Sequence, residues 1–422
     1  MINRIKNNAF AMNSLILFSG TILGSVLNYF FHLAIGRLVS IEVYGEIESL
    51  LSLMTIISVP AMTLLMVTTK YSAQCKADND TRSCKILFWE INKKIIFYGL
   101  PLFFLSLALI PFIKDFLKLS DNLPLFFLWI IMYVSFFTSL NSGILSGWQK
   151  FKDVSALGIL GALFKLILGI FLVKLGFGLN GAIGSFALAT IVAYLASFFT
   201  LRFLFLPQKI DHSPQKNIEM FASLKKYILP AFVGNLAITI LGNADMILAK
   251  HALDATSAGQ YGALTIVSKI IFFATGVIAT VLFSMSAEND HKKSNSLKTL
   301  FQAISLLLLV SISSTILYFI FPNFILSLLF GNKYTNIASF LGWFAILVTI
   351  FSLVNVFFQY LLSIHQTRLV YWLLAISLSM IIFIKLFGNT ISGILTISII
   401  AQISAVILSG YFVISSKKKA LT

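Results

Sequence analysis

The chain contains 422 residues, of which 58% are hydrophobic and 11% are charged, and its mean hydropathy is +0.94. Soluble domains are about 45–50% apolar and about 25% charged. The composition therefore excludes a water-soluble globular protein and indicates a chain that lies largely within a lipid bilayer. A net charge of +16 can indicate a nucleic-acid partner. Whether it does so here depends on where the basic residues lie along the chain.

Continuous apolar runs of about 18–25 residues recur along the chain, and each is long enough to cross a ~30 Å hydrocarbon layer as a helix. Transmembrane β-strands are shorter and alternate in polarity, so these runs predict helices rather than a barrel. The sequence thus predicts an all-α polytopic membrane protein with twelve transmembrane helices, and the first span is expected to be retained. The predicted spans are 14–36, 47–68, 95–113, 124–146, 155–175, 180–203, 227–249, 261–286, 299–321, 339–363, 369–387 and 390–414.

Lys and Arg residues are distributed unevenly between the two sides of the membrane that these spans define. With the N-terminus inside, 22 of the 31 lie on cytoplasmic segments and 7 on outer segments, whereas Lys165 and Lys269 lie within spans. Because cytoplasmic loops carry an excess of basic residues, both termini are predicted to be cytoplasmic. The basic loops then face anionic membrane lipids, which explains the net charge without a nucleic-acid partner.

Short motifs recur at one offset and predict an internal repeat. Tyr44-Gly45 at the start of span two and Tyr261-Gly262 at the start of span eight are 217 residues apart. Six spans in each half give both halves the same orientation, so the repeat is parallel, and two such lobes are expected to enclose a central cavity. The predicted domains are an N-terminal six-helix lobe at 1–203, a cytoplasmic linker at 204–226 and a C-terminal six-helix lobe at 227–422.

Gly176, Gly178 and Gly181 have the G-x-G-x-x-G spacing of a dinucleotide-binding loop. Such a loop follows a strand and precedes an acidic residue by about 20 positions. Here a membrane helix precedes the glycines, and no Asp or Glu occurs between Asp153 and Asp211. The glycines are instead predicted to form a tight outer turn. Since no nucleotide-hydrolysing, metal-binding or catalytic motif stands out elsewhere, we expect no cofactor and no enzymatic activity.

Two cysteines, Cys75 and Cys84, lie in a polar segment that is predicted to be a cytoplasmic loop at 69–94. Their spacing matches no common metal-binding pattern, and no histidine cluster accompanies them. We therefore expect reduced thiols without a chemical role.

Two lysines are the first candidates for a binding site, because an ionisable group costs roughly 2.5–3.5 kcal/mol at the centre of a membrane helix. Lys165 lies about ten residues from the inner end of span five, and Lys269 lies about 12 Å into span eight. One lysine from each half predicts a cationic cavity that holds a phosphate group during passage. The alternative is that each lysine pairs with a neighbouring carbonyl or amide group for packing.

Two carboxylates, Glu48 and Asp245, lie toward the outer ends of their spans. A buried carboxylate can take up a proton or a sodium ion and thereby couple transport to an ion gradient. The alternatives are an ion pair with Arg37 that locks an outer gate, or simple exposure at the membrane interface.

The segments GRLVSIEVYGEIESLLSLMTIISVP (36–60) and NADMILAKHALDATSAGQYGALTIVSKI (243–270) resemble the corresponding parts of polysaccharide-export flippases. These O-antigen (Wzx-type) flippases belong to the multidrug/oligosaccharidyl-lipid/polysaccharide exporter superfamily. The resemblance implies a V-shaped, two-lobed bundle in the bacterial inner membrane. Its substrate would be an undecaprenyl-pyrophosphate-linked oligosaccharide, moved from the inner to the outer leaflet.

The same resemblance implies roles for individual residues and further partners. Arg37, Lys165 and Lys269 match a positively charged lumen, and Asp245 matches a position linked to a proton or sodium gradient. Glu48 is a second coupling or gate candidate because of its position at the start of span two, not because of the resemblance. Twelve spans fit an O-antigen or capsule flippase better than a lipid II flippase. A polysaccharide polymerase and chain-length machinery are the further partners that this role implies.

Two other functions compete with this interpretation. A cation-coupled multidrug exporter of the same superfamily would have an acidic, aromatic lumen, whereas the deepest charges here are lysines. A membrane-embedded polysaccharide polymerase or ligase would need a large outer loop with catalytic arginines, and the longest predicted outer segment, 322–338, has about 17 residues.

Overall fold

The computed structural model describes residues 9–205, 216–291, 296–364 and 366–421, with side chains for residues 18–205, 228–276, 278, 299–364 and 366–415. Every regular element within these ranges is a helix. The prediction of an all-α protein is therefore confirmed for the part of the chain that the structure describes.

Nine α-helices lie within the described residues of the first half of the chain. They are α1 (Ala9–Leu38), α2 (Ile41–Ile57), α3 (Val59–Ala77), α4 (Thr81–Lys94), α5 (Leu100–Leu107), α6 (Ile110–Leu117), α7 (Leu123–Gly147), α8 (Phe151–Leu172) and α9 (Gly178–Leu201). Short π-helical turns at Ile95–Gly99 and Val173–Phe177 join α4 to α5 and α8 to α9, and a 3₁₀ turn at Arg202–Leu204 follows α9.

Seven α-helices lie within the part of the second half that the structure describes. They are α10 (Lys216–Ala252), α11 (Ala255–His291), α12 (Ser296–Ile320), α13 (Pro322–Phe330), α14 (Leu341–Ser363), α15 (Leu369–Phe387) and α16 (Ile391–Leu421). A 3₁₀ helix at Asn332–Phe340 leads into α14.

Among the described residues, eight helical stretches are long and apolar enough to cross a membrane, or up to ten if two bent pairs each count as one span. One stretch, Phe151–Leu204, has 54 residues and contains both α8 and α9. These two helices pack against each other. The chain is thus a multi-pass membrane protein by length and composition, while the number twelve and the positions of the termini stay predictions.

The turn between α8 and α9 contains the glycine motif. Gly176 has φ +93° and Gly178 has φ +44°, a left-handed backbone that residues with a Cβ atom adopt only under strain. A Cβ atom on Gly181 would come within 2.9 Å of the Leu172 and Phe177 side chains. The three glycines therefore let the chain reverse and let the two helices approach closely.

The helices form two compact units, and the boundary between the units crosses span two. The first unit contains Met1–Val39 and Ile57–Ile228, and the second contains Ser40–Ile56 and Leu229–Thr422. The predicted lobes differ from these units at 40–56, which the structure groups with the second unit. Of the predicted linker, residues 206–215 lie outside the described part of the chain, and α10 begins at Lys216.

Span two is not a single straight helix. Helices α2 and α3 meet at an angle of 42°, and Pro60 lies in the first turn of α3, where its missing N–H group costs no helical hydrogen bond. The polar segment at 69–94 is largely helical, since α3 continues to Ala77 and α4 starts at Thr81. Polar residues in that segment lie on helices that extend beyond the apolar run.

Within the second unit, α2 crosses the start of α11 with little space between their backbones. A Cβ atom on Gly45 would lie 2.7 Å from the Gly259 nitrogen, and one on Gly259 would lie 1.9 Å from the Ile41 carbonyl oxygen. Small residues at a crossing allow this approach between membrane helices. Glycine is thus required at both positions by the packing of α2.

Gly259→Ala is expected to destabilise the protein by about 1–3 kcal/mol, because the added methyl group overlaps backbone atoms that cannot rotate away. The matched control is Gly158→Ala in α8, where a Cβ atom meets nothing within 4 Å and the helix gains about 0.5–1 kcal/mol. Thermal unfolding of both purified variants in detergent measures the difference. Equal melting temperatures for the two variants would show that α2 does not cross α11 at Gly259.

Candidate functional site

The first unit encloses the ammonium group of Lys165. The lysine extends from the middle of α8, its relative exposure is 6%, and Nζ donates a hydrogen bond to Asn28 Oδ1 on α1. Nζ also lies 5.0 Å from the centre of the Phe31 ring and 4.2 Å from the centre of the Phe186 ring. An ammonium group over aromatic faces is stabilised electrostatically, more strongly where water is excluded.

Glycine and small polar residues shape this enclosure. A Cβ atom on Gly169, one turn after Lys165, would lie 2.6 Å from the Phe31 ring and 3.0 Å from Ser185 Oγ. The absence of a side chain at this position lets the Phe31 ring reach the ring of Phe186, with the ring centres 5.0 Å apart in an edge-to-face arrangement. The Lys165 ammonium group is therefore held in one place by three helices, α1, α8 and α9.

Arg37, the third predicted cationic residue, belongs to the same unit but has a different environment. It lies in the last turn of α1 with an exposed side chain. It follows Phe31 by six residues, which corresponds to about 9 Å along the helix axis. Arg37 thus lies at the end of α1, beyond the residues of that helix that contact the Lys165 ammonium group.

The second unit contains Lys269 and Asp245 on neighbouring helices. Tyr261 Oη on α11 donates a hydrogen bond of 2.7 Å to Asp245 Oδ2 on α10. Two turns after Tyr261, the half-buried Lys269 donates from Nζ to Asn243 Oδ1 at 3.0 Å. Because residues eight apart lie on nearly the same face of a helix, Tyr261 and Lys269 both face α10.

Glu48 on α2 joins this group of charges. Its side chain is buried, and its Cβ and Cγ atoms lie 3.1 and 3.2 Å from the position that a Cβ atom on Gly262 would take. Lys269 Nζ contacts Asn243, two residues before Asp245, and Gly262, against which Glu48 packs, lies seven residues before Lys269 on α11. The structure therefore brings three of the predicted site residues together in the second unit, and places Lys165 and Arg37 in the first.

An ion pair that the sequence did not predict lies in the same unit. Lys250 Nζ in the last turn of α10 is 3.8 Å from Glu46 Oε1 on α2, and the two side chains are 2% and 10% exposed. One turn earlier on α2, Glu42 Oε1 accepts a hydrogen bond of 2.7 Å from Thr256 Oγ1. Lys250 follows the end of the predicted seventh span, and the structure buries it because α10 continues to Ala252 and α2 covers it. Glu42 and Glu46 are four positions apart on the largely apolar α2, and this spacing of acidic residues is the sequence feature that could have predicted the ion pair.

Three buried side-chain oxygen atoms without a standard hydrogen bond to any described residue lie on α10 and α16. Asp245 Oδ1, Gln402 Oε1 and Ser398 Oγ are buried and have no hydrogen-bond partner of standard geometry among the described residues. Ser398 and Gln402 lie one turn apart on α16, and Gln402 Nε2 donates at 3.4 Å to the carbonyl oxygen of Leu241, one turn before Asp245. A buried polar atom without a partner is costly, so these oxygens are suited to a cation, and the Asp245 carboxylate is also suited to protonation.

Comparisons with known proteins give one family and one fold. The family model described as "Polysaccharide biosynthesis protein" matches residues 10–289, about two thirds of the chain. A search of curated proteins gave no match.

Two solved structures illustrate the shared fold. One is the inward-facing conformation of a multidrug resistance MATE family transporter of the MOP superfamily, with a TM-score of 0.75 and 15% identity over 96% of this chain and 99% of that chain. The other is the lipid II flippase MurJ in an inward closed conformation, with a TM-score of 0.70 and 18% identity over 96% of this chain and 87% of that chain. At these identities the similarity establishes the fold.

Proposed function

Because the chain belongs to the polysaccharide biosynthesis protein family, we propose that it is a flippase for lipid-linked oligosaccharides. It moves undecaprenyl-pyrophosphate-linked O-antigen or capsule repeat units from the inner to the outer leaflet of the bacterial cytoplasmic membrane by alternating access. Bare transfer of an ionised pyrophosphate and a sugar chain through hydrocarbon costs tens of kcal/mol, so such a step needs a protein path. Structures that share this fold include a multidrug transporter and a lipid II flippase, which supports a membrane carrier rather than an enzyme.

The observation that carries this proposal is the buried Lys165 ammonium group in the first unit. A lysine that is removed from water and held by Asn28, Phe31 and Phe186 attracts a phosphate group more strongly than an exposed lysine does. Lys269 supplies a second ammonium group in the second unit. We propose that these two lysines bind the pyrophosphate during passage, and that Arg37 at the end of α1 receives it.

The coupling ion is proposed to bind at Asp245. Carboxylate, amide and hydroxyl oxygens are the ligands that hard cations such as sodium prefer, and Asp245, Ser398 and Gln402 each offer one unpartnered buried oxygen. A sodium ion or proton at Asp245 would cancel its attraction for Lys269. The Lys269 ammonium group would then become available to the substrate, with Glu48 as the remaining counter-charge.

Asp245→Asn is expected to weaken sodium binding at least tenfold and to remove the dependence of transport on a sodium or proton gradient, because the amide cannot balance the charge of a bound cation. The matched control is Asp254→Asn in the turn between α10 and α11. There a hydrogen bond from Ser257 lowers the pKa of the carboxyl group, and asparagine is an equally good helix cap. Isothermal titration with sodium chloride and gradient-driven transport assays make the comparison. Unchanged ion dependence in Asp245→Asn would rule out Asp245 as the coupling residue.

The proposed function is tested by depletion of the protein in its own cells. Lipid-linked oligosaccharide should accumulate on the cytoplasmic leaflet, where an external glycosidase or lectin does not reach it. Restored expression should return the oligosaccharide to the outer leaflet. Normal amounts in the outer leaflet after depletion would refute the flippase proposal.

A cation-coupled multidrug exporter is the second candidate. The similarity in fold to the MATE family transporter and the buried carboxylates Glu48 and Asp245 favour it. The enclosed position of Lys165 favours the glycolipid instead. Depletion distinguishes the two, because loss of an exporter raises sensitivity to cationic drugs and leaves lipid-linked oligosaccharides unchanged.

A further inference from the structure

Two phenylalanine rings at the end of α9 pack against α4 and the end of α7. Phe203 lies in the 3₁₀ turn that follows α9, and Phe205 comes directly after that turn. Leu204, between them, is 2% exposed and is buried in a hydrophobic cluster of the first unit. The Phe205 ring contacts Phe88 on α4 with the ring centres 5.7 Å apart, and the Phe203 ring contacts Trp148 with the centres 5.2 Å apart. The buried leucine thus fixes both rings against neighbouring helices.

An ammonium group lies over each of these rings. Lys85 Nζ, on α4, is 5.7 Å from the centre of the Phe205 ring, and Lys150 Nζ, in the turn between α7 and α8, is 4.3 Å from the centre of the Phe203 ring. Both lysines are half-buried. Neither forms an ion pair with a carboxylate among the residues whose side chains the structure describes. An aromatic face stabilises an ammonium group but does not cancel its charge.

The turn after α7 fixes the position of Lys150 and brings a third lysine beside it. Gln149 has a left-handed backbone with φ +57°, and the Lys150 N–H group donates at 2.8 Å to the Leu145 carbonyl oxygen, as in a Schellman motif. Lys76 Nζ, at the end of α3, donates a hydrogen bond of 2.6 Å to Gln149 Oε1. The partner of this third ammonium group is therefore a neutral amide.

The same turn is joined to α4. Trp148 Nε1, two residues before Lys150, donates to Cys84 Sγ at 3.3 Å, and Cys84 directly precedes Lys85. The three lysines therefore project from elements that contact one another within the first unit. Lys76, Lys85 and Lys150 together form the lysine patch.

Positive charge prevails around the lysine patch. The segments that build it, 70–94, 149–153 and 202–205, contain nine basic and four acidic residues. One of the carboxylates already has a structural role, because Asp80 Oδ1 accepts a hydrogen bond of 2.9 Å from the Ser83 N–H group and thereby caps α4. The surroundings of the patch thus attract an anion.

The lysine patch lies where the predicted apolar spans end. Trp148 and Phe205 each follow the last residue of a predicted span, 146 and 203, by two positions. Lipid phosphates lie at this boundary of the hydrocarbon layer, on the side that the distribution of Lys and Arg predicts to be cytoplasmic. Beside Lys85, the apolar side chains of Ile86 and Trp89 are each 50% exposed. Positive charge next to exposed apolar side chains fits an anionic lipid better than a soluble anion.

We propose that the lysine patch binds the phosphate group of an anionic phospholipid, whose acyl chains lie beside Ile86 and Trp89. The three ammonium groups donate charge-assisted hydrogen bonds to the phosphate oxygens. The bound lipid joins α3, α4 and the turn after α7, so it stabilises the folded protein. This site is separate from the Lys165 enclosure and does not depend on the proposed transport function.

Native mass spectrometry of the purified full chain in detergent tests the proposal. Dioleoylphosphatidylglycerol is titrated, and zwitterionic dioleoylphosphatidylcholine is the comparison. The wild type should bind the first phosphatidylglycerol molecule at least tenfold more tightly than phosphatidylcholine, and phosphatidylglycerol should raise its melting temperature. Lys85→Gln combined with Lys150→Gln should bind phosphatidylglycerol at least tenfold more weakly than the wild type and should lose this rise.

The matched control is Lys93→Gln combined with Lys174→Gln, which removes the same charge from two exposed positions. It should bind phosphatidylglycerol as the wild type does, and so should Lys165→Ala, which separates this site from the one proposed for the substrate. Equal affinities of the wild type for the two lipids, or of the two double variants for phosphatidylglycerol, would overturn the proposal. An equal rise in melting temperature with inorganic phosphate would overturn the assignment to a lipid.

Discussion

Lys250→Met is expected to destabilise the protein by about 3–5 kcal/mol, because it leaves the Glu46 carboxylate buried without its ammonium partner. The two side chains are 2% and 10% exposed, with Nζ and Oε1 3.8 Å apart. Replacement of both partners, as Glu46→Gln with Lys250→Met, removes the uncompensated charge. The double variant should therefore recover most of the lost stability, as buried pairs that are replaced together often do.

The chain offers an exposed ion pair as the matched control. Lys93 and Glu90 lie on α4 with 3.6 Å between Nζ and Oε1, and their side chains are 73% and 56% exposed. Lys93→Met should change the stability by no more than about 1 kcal/mol, since solvent screens such pairs. Thermal unfolding in detergent at matched protein concentration compares the variants. Equal effects of Lys250→Met and Lys93→Met would mean that Lys250 is not buried against α2.

Lys165→Ala is expected to lower export of lipid-linked oligosaccharide by at least tenfold while the protein still inserts into the membrane. A charge-assisted hydrogen bond to phosphate contributes about 1.5–3 kcal/mol, and each 1.4 kcal/mol is a factor of ten in binding. Lys174→Ala is the matched control, because Lys174 has an exposed side chain in the turn that follows α8. Complementation of the depleted strain, with membrane protein levels measured in parallel, gives the result.

Lys165→Met separates binding from packing. Methionine retains the apolar stem of the side chain but offers no ammonium group to Asn28 or to a phosphate. If Lys165 only packs, Lys165→Met should change the melting temperature and leave export near the wild-type rate. If Lys165 binds the pyrophosphate, export should fall in both variants, regardless of the melting temperature.

The apolar runs predicted where helices form, because only a helix satisfies its own backbone hydrogen bonds in hydrocarbon. Apolarity does not specify where a helix bends or how far it extends into water. Pro60 is the sequence feature that accompanies the break between α2 and α3, but the helical turns at 69–77 and 81–94 could not be predicted from the polar composition of that segment. The predicted resemblance to polysaccharide flippases of the exporter superfamily is confirmed by the family match over residues 10–289.

Lys165 and Lys269 could be predicted as site residues because a buried charge is costly within a membrane span. Their hydrogen-bond partners could not be predicted in this way. Asn28 contacts Lys165 across 137 positions in sequence, and such a pairing depends on which helices lie side by side. Lys250 follows an apolar run, and the sequence did not show that α2 covers its side chain. The sequence indicated Tyr261 only as part of a repeat, whereas in the structure its hydroxyl group donates a hydrogen bond to Asp245. The partner of a buried charge depends on how the helices pack against each other. The periodicity of the sequence does not carry that information.

The most direct test of the proposed flippase function is a measurement of transbilayer movement in proteoliposomes. The purified protein is reconstituted with a fluorescent undecaprenyl-pyrophosphate oligosaccharide, and a membrane-impermeant quencher reports how much of it faces outward over time. We expect an imposed sodium or proton gradient to drive movement with the wild-type protein and not with Lys165→Ala. No movement of the glycolipid, together with gradient-driven movement of a cationic dye in the same vesicles, would contradict the flippase and identify a drug exporter.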